Sequence, residues 1–561
     1  MNFELPPTGT EQSPAFVDAP SCLEWLTTVP LANAVQAQSM FRRQLSLLHR
    51  FTLPSVERFA VLEVLRGPLS DVQGDAAVKF AAKPLPLAPH EQASLETTLD
   101  VWHELALGYL RCFNEVCGDM TEPSALAAVA AQCTENRELA TRAATLAQRT
   151  LSVFADWQLD INRGGQLPNA AYWQKLHQIF FAAEALGIAG RAVHDTVRHG
   201  KRVPTSALAA YAECSLLSTA SVYELQARHL AWVARWAKRW GSKVSLLSAP
   251  PEDIRNRANP LWVDLAADGP PAYIPRPSAG SRWLETTELR KSLVARISLL
   301  EQGRAPADLQ LGDDVTQPAA THLLQRVLER WCKGGAERRQ ERQATNAACS
   351  LIAGFDAVHY ELSGRQTFRA PSRSDSELRR EREEFETFGN HSQRTKDTGD
   401  KDEVHIETWH LFDESMAGMR ATRPLKDGAR IGPGLVIAAK VADGKHYVLG
   451  SIRWVLREGD NSLMAGIHLF PGEARPMGVR VLEADGNRAV WHPGFLLPEI
   501  AALKEAASVV VPAGTFRIER SIEIMADQQL RILKLSRVID RGIEFERCIF
   551  TLVPGAVETP R

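Results

Sequence analysis

The stretch HLFDESMAGMR, His410 to Arg420, contains the pattern D-x-S-x-x-G at Asp413, Ser415 and Gly418. Its first residues end the run VHIETWHLF, whose β-branched and aromatic content predicts a strand. Asp, Ser and Gly form turns between strands without any ligand. The same residues would also suit a polar pocket, because the carboxylate and the hydroxyl can hydrogen-bond a ligand and the glycine lets it approach closely. The sequence on either side helps to choose between these interpretations.

Strand patterns extend on both sides of this stretch. After Gly335 the spacing of apolar residues changes from about 3.6 to about 2, and β-branched and aromatic residues become frequent. Strands are predicted first by ACSLIAGFDAVHYEL, VHIETWHLF, GLVIAAKV, KHYVLGSIRWVL and SLMAGIHLF. Further strands are predicted by VRVLEA, RAVWHPGFLL, ASVVVP, TFRIERSIEIM, LRILKLSRVID and FERCIFTLV. The last third of the chain is therefore expected to be rich in β-structure.

The earlier part of the chain predicts helices instead. Between residues 21 and 245, apolar residues recur every three and four positions in segments such as SLETTLDVWHELALGYLRCFNEV, and prolines stand at the breaks. Residues 1–20 are Pro-rich and polar, which is typical of a flexible tail. Residues 246–334 begin rich in Pro and Gly and continue as a helical stretch. We interpret them as a linker and helical junction.

A group of arginines stands ahead of the first predicted strand. The segment AERRQERQA places Arg338 and Arg342 in R-x-x-x-R spacing, with Arg339 beside them. The arginine guanidinium is a planar fork of donors that pairs with phosphate or a guanine edge, and the same flat cation stacks on a base. Such a pair is common by itself, and it also suits the solvated C-terminal end of a helix. Its position ahead of the D-x-S-x-x-G pattern makes it informative.

Together the two motifs resemble those of the PilZ domain family, small six-stranded β-barrels that bind the bacterial second messenger cyclic di-GMP. The strands that follow support the resemblance. The segment SIRWVL contains the R-W dipeptide of the family at Arg453 and Trp454, and Gly466 lies in the closing Gly-apolar strand. The resemblance covers about residues 335–475.

This resemblance implies a ligand site and a role for each of its residues. The expected ligand-binding residues are Arg338, Arg339, Arg342, Asp413, Ser415 and Gly418. The arginines would lie on a mobile segment that the ligand draws onto the barrel. Asp413 would accept from guanine N–H and amino groups, Ser415 would bond phosphate or base, and Gly418 would allow close approach or a positive φ.

The resemblance also implies a function. The chain is expected to be a cytoplasmic bacterial receptor or adaptor that couples cyclic di-GMP to a protein partner through its helical region. The outputs of such receptors are motility, pili, attachment or exopolysaccharide production. No enzymatic activity, cofactor or metal is expected. A scaffold that binds proteins but no nucleotide is the alternative.

The fold class that results is a multidomain α+β protein. Its length of 561 residues exceeds one ordinary core, and helices followed by strands predict separate domains. An α-helical N-terminal region is followed by a PilZ-like β-barrel over residues 335–475 and a further β-rich segment over 476–561. The last segment either extends that barrel or forms a second, degenerate one without its own motif pair.

One departure from the family leaves the arginine motif open. Arg342 and Asp413 are farther apart than is usual, because the highly charged segment 364–403 stands between them. We interpret that segment as a solvated insertion. It contains rival pairs, Arg365 with Arg369 and Arg369 with Arg373. The pair Arg338 and Arg342 is preferred because the strand ACSLIAGF follows it at the spacing of the family.

Composition excludes several other classes of protein. The net charge of −2 gives no whole-chain attraction to nucleic acid. The first residues lack the features of a signal peptide, and no apolar run is long enough to span a membrane. The eight cysteines form no C-x-x-C pair and no zinc-ligand spacing. They are expected to be buried thiols in a reducing cytoplasm.

Three weaker features receive ordinary structural interpretations. Trp232, Trp236 and Trp240 repeat every four residues beside basic residues, which would suit a nucleic-acid or partner surface but better suits a buried helix face. The histidines at 359, 405 and 410 lack the spacing of a metal site. No P-loop, G-x-S-x-G, H-E-x-x-H or dinucleotide fingerprint is found in the sequence.

Overall fold

The computed structural model describes residues 3–118, 120, 122–200, 203–250, 261–334, 343–370, 405–415, 417–442, 444, 446–459, 461–482, 490–527 and 529–558. The chain forms two compact units. The first comprises residues 1–83 and 87–338, and the second comprises residues 84–86 and 339–561. The fold class is confirmed: a helical N-terminal region is followed by β-barrels. No helix in the described ranges is long and apolar enough to cross a membrane.

The first unit is mainly helical. Its helices are α1 (Ala19–Leu26), α2 (Ala34–Arg50), α3 (Ser55–Ala77), α4 (Pro89–Cys117), α5 (Pro123–Glu135), α6 (Arg137–Arg163), α7 (Ala170–Ala185), α8 (Thr196–His199), α9 (Ala207–Thr219), α10 (Ala227–Trp240), α11 (Thr287–Glu301) and α12 (Ala319–Cys332). Side-chain caps begin several of them. Asn136, for example, accepts from the amides of Glu138 and Leu139 at 3.0 Å and starts α6.

Short strands complete the first unit. β1 (Val193–His194) pairs with β2 (Pro204–Thr205), and β3 (Ser245–Leu247), β4 (Leu261–Asp264) and β5 (Ser281–Glu285) form a sheet in the order β3-β5-β4. Single 3₁₀ turns span Val222–Glu224 and Gly241–Lys243. Residues of β4, β5, α11 and α12 belong to the same hydrophobic core as the earlier helices. The small sheet and the last two helices are therefore integral to this unit.

The tryptophan helix α10 faces the core of the first unit. Trp232, Trp236 and Trp240 are at most 1% exposed. The indole N–H of Trp232 donates to Asp314 at 2.7 Å, and that of Trp236 donates to the Leu311 carbonyl at 2.9 Å. The structural interpretation of this repeat is therefore correct, because buried indoles offer no surface to nucleic acid or to a partner.

The second unit contains a first closed barrel. Its strands are β6 (Gln343–Ala344), β7 (Ala348–Ala353), β8 (Glu407–Ser415), β9 (Gly418–Pro424), β10 (Val436–Val441), β11 (Val448–Glu458) and β12 (Ser462–Leu469). The order is β6-β8-β7-β10-β11-β12-β9, and a further pairing of β8 with β9 closes six strands into a barrel. β6 lies outside that closed ring and pairs only with β8.

A helix replaces part of one predicted strand. The prediction of a continuous strand over ACSLIAGFDAVHYEL is wrong, because β7 ends at Ala353 and α13 (Phe355–Leu362) follows. Gly354 adopts φ +102°, which turns the chain out of the strand. Phe355, Val358 and His359 are then buried on one face of the helix at spacings of three and four.

The last part of the chain forms a second closed barrel. Its strands are β13 (Arg475–Val481), β14 (His492–Leu497), β15 (Ser508–Pro512), β16 (Ser521–Ala526), β17 (Gln529–Arg541) and β18 (Phe545–Glu558), with a 3₁₀ turn at Ala501–Leu503. The closed order is β13-β14-β15-β18-β17-β16. Its interior is apolar and includes Val509, Ile522, Leu533 and Cys548. The segment does not extend the first barrel but closes on itself.

Candidate ligand site on the first barrel

The D-x-S-x-x-G stretch forms the hairpin that joins β8 to β9. Asp413 pairs with Arg420 and Ser415 pairs with Gly418 across this hairpin. The Ser415 hydroxyl donates to the Gly418 carbonyl at 3.1 Å. The turn interpretation of the motif is therefore correct. A turn of this kind leaves the ligand interpretation open, because the polar side chains still lie at the end of the barrel.

Gly418 is required for close packing of strands. A Cβ atom added at this position would lie 2.5 Å from the Ile467 carbonyl oxygen on β12. Real Cβ atoms essentially never approach backbone so closely, so any side chain would push β9 away from β12. Sequence reasoning gave close approach at the ligand site or a positive φ as reasons for this glycine. Gly418 does not have a positive φ, and its packing against β12 is a different reason that the structure adds.

Asp413 is held by a cation from the neighbouring strand. Its side chain is buried, and its Oδ2 atom lies 2.6 Å from the Arg420 guanidinium. That guanidinium also lies 4.2 Å from the centre of the Phe412 ring. Phe412 is the extra residue of a β-bulge, because Leu411 pairs with Ala421 and Asp413 already pairs with Arg420. Bulges re-aim side chains and often occur next to binding sites.

Two further motif residues lie in the same row across the sheet. Arg420 pairs with Gly466 on β12, and Gly466 pairs with Trp454 on β11. The Trp454 indole occupies the space above Gly466, because a Cβ added there would overlap with Nε1. Residues in register on adjacent strands point to the same face. We call Asp413, Arg420, Gly466 and Trp454 the motif row.

The first described strand after the preferred arginine motif pairs beside Asp413. Arg338, Arg339 and Arg342 lie outside the described residues. The chain resumes at Gln343, which pairs with Glu414, and Ala344 pairs with Asp413. In the sequence, Arg342 directly precedes this pairing.

The rival arginine pairs start at Arg365, which follows α13 and not the segment before β6. Arg365 follows α13 and forms an ion pair with Glu361 at 3.1 Å. The Phe368 ring contacts His359 with 5.4 Å between ring centres, and a Cβ on Gly478 of β13 would lie 3.4 Å from Phe368. The segment before Arg369 therefore packs towards the second barrel. Arg373 lies outside the described residues.

Comparisons with known proteins match three successive parts of the chain. The model described as the N-terminal domain of the cyclic-di-GMP receptor FimW matches residues 20–252, the FimW middle PilZ domain matches 261–411, and the FimW C-terminal beta-barrel domain matches 477–553. The cyclic-di-GMP receptor FimW of Pseudomonas aeruginosa is 24% identical to this chain over 581 residues, covering 95% of this chain and 90% of the relative.

The chain contains a PilZ domain between a helical N-terminal region and a C-terminal β-barrel domain. The middle match includes the R-x-x-x-R segment and ends at Leu411, inside β8. The first barrel continues beyond it to Leu469 at the end of β12. Sequence reasoning identified the PilZ domain from the motif residues, and the pairing of β8 with β9 places Asp413, Ser415 and Gly418 in one hairpin.

A histidine fixes the motif turn of this PilZ barrel. The Nδ1 atom of His468 lies 2.9 Å from the Ala417 carbonyl, inside the turn. Burial, together with the charge of Arg453, lowers the pKa of His468 below its usual value. The ring is therefore neutral at pH 7, and the nitrogen that faces the carbonyl carries the proton and donates. The turn is thereby tied to β12.

The two barrels share polar contacts that sequence reasoning missed. Arg453, noted only as part of the R-W dipeptide, forms a bidentate pair with Asp540 of β17 at 2.9 and 2.7 Å. The Glu544 carboxylate accepts from the amides of Val436 on β10, at 2.5 Å, and of Phe355 on α13. No local signal in the sequence predicts these pairs, because each joins residues about 90 to 190 positions apart.

An apolar core also joins the barrels. Ile352, Val436 and Leu449 of the first barrel pack in one cluster with residues of α13 and of the second barrel, including Phe495 and Phe545. Because burial of large apolar side chains contributes about 1.5–3 kcal/mol each, the barrels form one structural body within the second unit.

Removal of the Glu544 carboxylate should weaken the interface between the two barrels. Glu544→Ala is expected to lower the free energy of unfolding of the second unit by about 1–3 kcal/mol, because two backbone amides lose their acceptor. Glu544→Gln keeps a carbonyl acceptor and serves as the matched control. Denaturant unfolding of both variants measures the difference. Equal unfolding midpoints for the wild type and Glu544→Ala would show that these hydrogen bonds do not stabilise the interface between the barrels.

No group of three or more His, Cys, Asp or Glu side chains in the described part of the chain is arranged to hold a metal ion. His359 is buried, and its Nε2 atom lies 3.3 Å from the Met477 carbonyl. His405 and His410 are exposed. The eight cysteines are all buried, and none of them forms a disulfide in the described part of the chain.

Proposed function

We propose that this chain is a cyclic di-GMP receptor that binds the messenger at the motif turn of the first barrel. The pairing of β6 with Asp413 and Glu414 carries the proposal, because Arg342 directly precedes β6. The relative named cyclic-di-GMP receptor FimW supports the choice of ligand. The eight buried thiols, which form no disulfide in the described part of the chain, support action in a reducing compartment, the cytoplasm.

Each site residue has a chemical task in this proposal. Arg338, Arg339 and Arg342 bind phosphates and guanine edges through paired N–H donors. The Asp413 carboxylate accepts from the guanine ring N–H and amino group, which lie side by side. Ser415 is a short hydroxyl at the turn, and Gly418 keeps the two strands close enough to form the site floor. Charge-assisted hydrogen bonds contribute about 1.5–3 kcal/mol each, so a few of them support micromolar binding after ordering costs.

The direct test is retention of labelled cyclic di-GMP by the full chain. Unlabelled cyclic di-GMP is expected to displace the label at micromolar concentration. GTP and cyclic di-AMP are expected not to, because the first lacks the second guanine and the cyclic backbone and the second lacks the guanine edge that Asp413 reads. No retention at any concentration would leave the alternative, a scaffold that binds only proteins.

The response to the ligand is proposed to pass to the helical unit. One of the three points at which the chain passes from one unit to the other falls between Arg338 and Arg339, inside the arginine motif. A ligand that binds these arginines and the barrel together therefore acts on the segment that joins the units. We propose that the helical unit presents its surface to a protein partner differently in the bound state.

Solution scattering tests that response. Profiles of the full chain with and without saturating cyclic di-GMP are expected to differ at low angles, where the distance between units dominates. The Arg342→Ala variant is the control and is expected to give one profile under both conditions. Superimposable wild-type profiles, measured where binding is saturated, would contradict the proposed response while leaving binding intact.

A further inference from the structure

Arg420 lies beside the motif residues in an arrangement that the family pattern does not specify. Its guanidinium is held on one edge by Asp413 at 2.6 Å and covered on one face by the Phe412 ring at 4.2 Å. The side chain remains 31% exposed. Its Nε atom is buried and makes no hydrogen bond among the described residues. The cation is thus fixed in orientation and still open on its outer side.

The exposure of Phe412 is unusual for a residue of its kind. The ring is 52% exposed, although neighbouring Leu411 is buried in the barrel. The bulge places Phe412 as an unpaired extra residue of β8 and turns its ring towards Arg420. Such a placement adds little to the barrel core. Instead, the ring packs against one face of the Arg420 guanidinium and supports it.

A guanidinium with one face covered and an open outer side is suited to stacking on a flat aromatic ligand. Arginine is weakly hydrated and planar, so it stacks on bases as well as on aromatic side chains. The pair with Asp413 stabilises the plane before any ligand arrives, which reduces the ordering cost of binding. The half-buried Trp454 lies further along the same motif row.

We propose that Arg420 is a stacking platform for a guanine base of cyclic di-GMP, with Phe412 as its backing. This inference rests on the proposed function and adds a specificity-determining residue to it. Asp413 then has two tasks: it orients the platform for one guanine and reads the edge of the other. The base lies between the Arg420 plane and solvent or a second base.

The test separates stacking from charge. Calorimetric titration of cyclic di-GMP compares the wild type with Arg420→Lys, Arg420→Ala and Phe412→Leu. Lysine at position 420 keeps the positive charge but lacks the planar guanidinium. Leucine at position 412 keeps an apolar side chain but lacks the aromatic ring. If Arg420 stacks on the base, Arg420→Lys and Arg420→Ala both weaken affinity by roughly 3- to 30-fold, and Phe412→Leu weakens it by a smaller factor.

A matched control and a measurement of folding accompany the titration. Arg235→Lys changes an exposed arginine that is also paired with a carboxylate, Asp314, in the helical unit, and it is expected to leave affinity unchanged. Thermal melts establish that the variants remain folded.

Three results would contradict the platform. Equal affinity of Arg420→Lys and the wild type, with a loss only in Arg420→Ala, would show that charge alone acts. Equal affinity of all variants and the wild type would show that Arg420 does not contribute to binding, and it would not contradict the proposed function. Absence of binding by the wild type would overturn the proposed function and the platform together.

Discussion

Arg342→Ala is expected to weaken binding of cyclic di-GMP by about 10- to 100-fold or more. The substitution removes a guanidinium that makes charge-assisted hydrogen bonds worth about 1.5–3 kcal/mol each, and a factor of ten corresponds to about 1.4 kcal/mol. Its backbone is one residue from the strand that pairs with Asp413 and Glu414. Calorimetric titration of the full-length variant measures the loss. Asp413→Ala is expected to show a similar loss, because it removes the acceptor for guanine.

The control for Arg342→Ala is the same substitution in the rival motif. Arg369→Ala is expected to bind with wild-type affinity, because the preceding Phe368 packs towards the second barrel. Binding that survives Arg342→Ala and is lost in Arg369→Ala would assign the arginine motif to the 364–403 insertion. Both variants keep the barrel strands unchanged, so loss of folding is not expected to interfere.

Asp195→Asn is expected to destabilise the helical unit by about 3–5 kcal/mol. Asp195 is fully buried, and its two carboxylate oxygens accept from the two terminal nitrogens of Arg66 at 2.8 Å each. Gln148 donates to it at 3.1 Å, and Arg149 lies 3.6 Å away. Removal of one partner from a buried ion pair leaves an uncompensated charge, and here Arg66 and Arg149 would both depend on the single carboxylate of Glu63. Denaturant unfolding followed by helical circular dichroism measures the change.

The pH dependence of unfolding gives a second signature of Asp195. Burial alone would raise the pKa of Asp195, but the hydrogen bonds and charge of Arg66 outweigh burial and lower it well below its usual value. A carboxyl whose pKa is lowered by folding contributes stability above its unfolded pKa of about 4 and loses it as the pH falls further. The difference in the free energy of unfolding between the wild type and Asp195→Asn is therefore expected to decrease as the pH falls below about 4.

An exposed ion pair provides the comparison for Asp195. Glu288 and Lys291 are both 68% exposed and lie 2.7 Å apart. Glu288→Gln is expected to change the free energy of unfolding by less than about 1 kcal/mol, because solvent screens such pairs. A loss for Asp195→Asn no larger than this would show that the buried network does not stabilise the helical unit.

The family could be predicted from the sequence because the residues that identify it lie close together in the chain. Asp413, Ser415 and Gly418 lie within six residues, and strand alternation in β8 is visible as buried Glu407, Trp409 and Leu411 between exposed neighbours. The position of the turn followed from residue types alone, whereas the close packing of Gly418 against β12 did not.

The missed features depend on register or on distant contacts. The bulge at Phe412 shifts which side chains face Arg420, and no local pattern reports such an insertion. FDAVHYEL contains residues that suit both strand and helix, and the contact of α13 with the second barrel favours the helix. Closure of the second barrel depends on β13 pairing with β16, which the alternation within each strand does not specify.

The central claim is that cyclic di-GMP binds at the motif turn of the first barrel. Hydrogen exchange of the full chain with and without saturating cyclic di-GMP tests it most directly. The account predicts slower exchange in Glu407–Ser415, Gly418–Pro424 and Gln343–Ala344, with no change in the strands β13 to β18. Unchanged exchange throughout the first barrel, or protection confined to the second barrel, would contradict it.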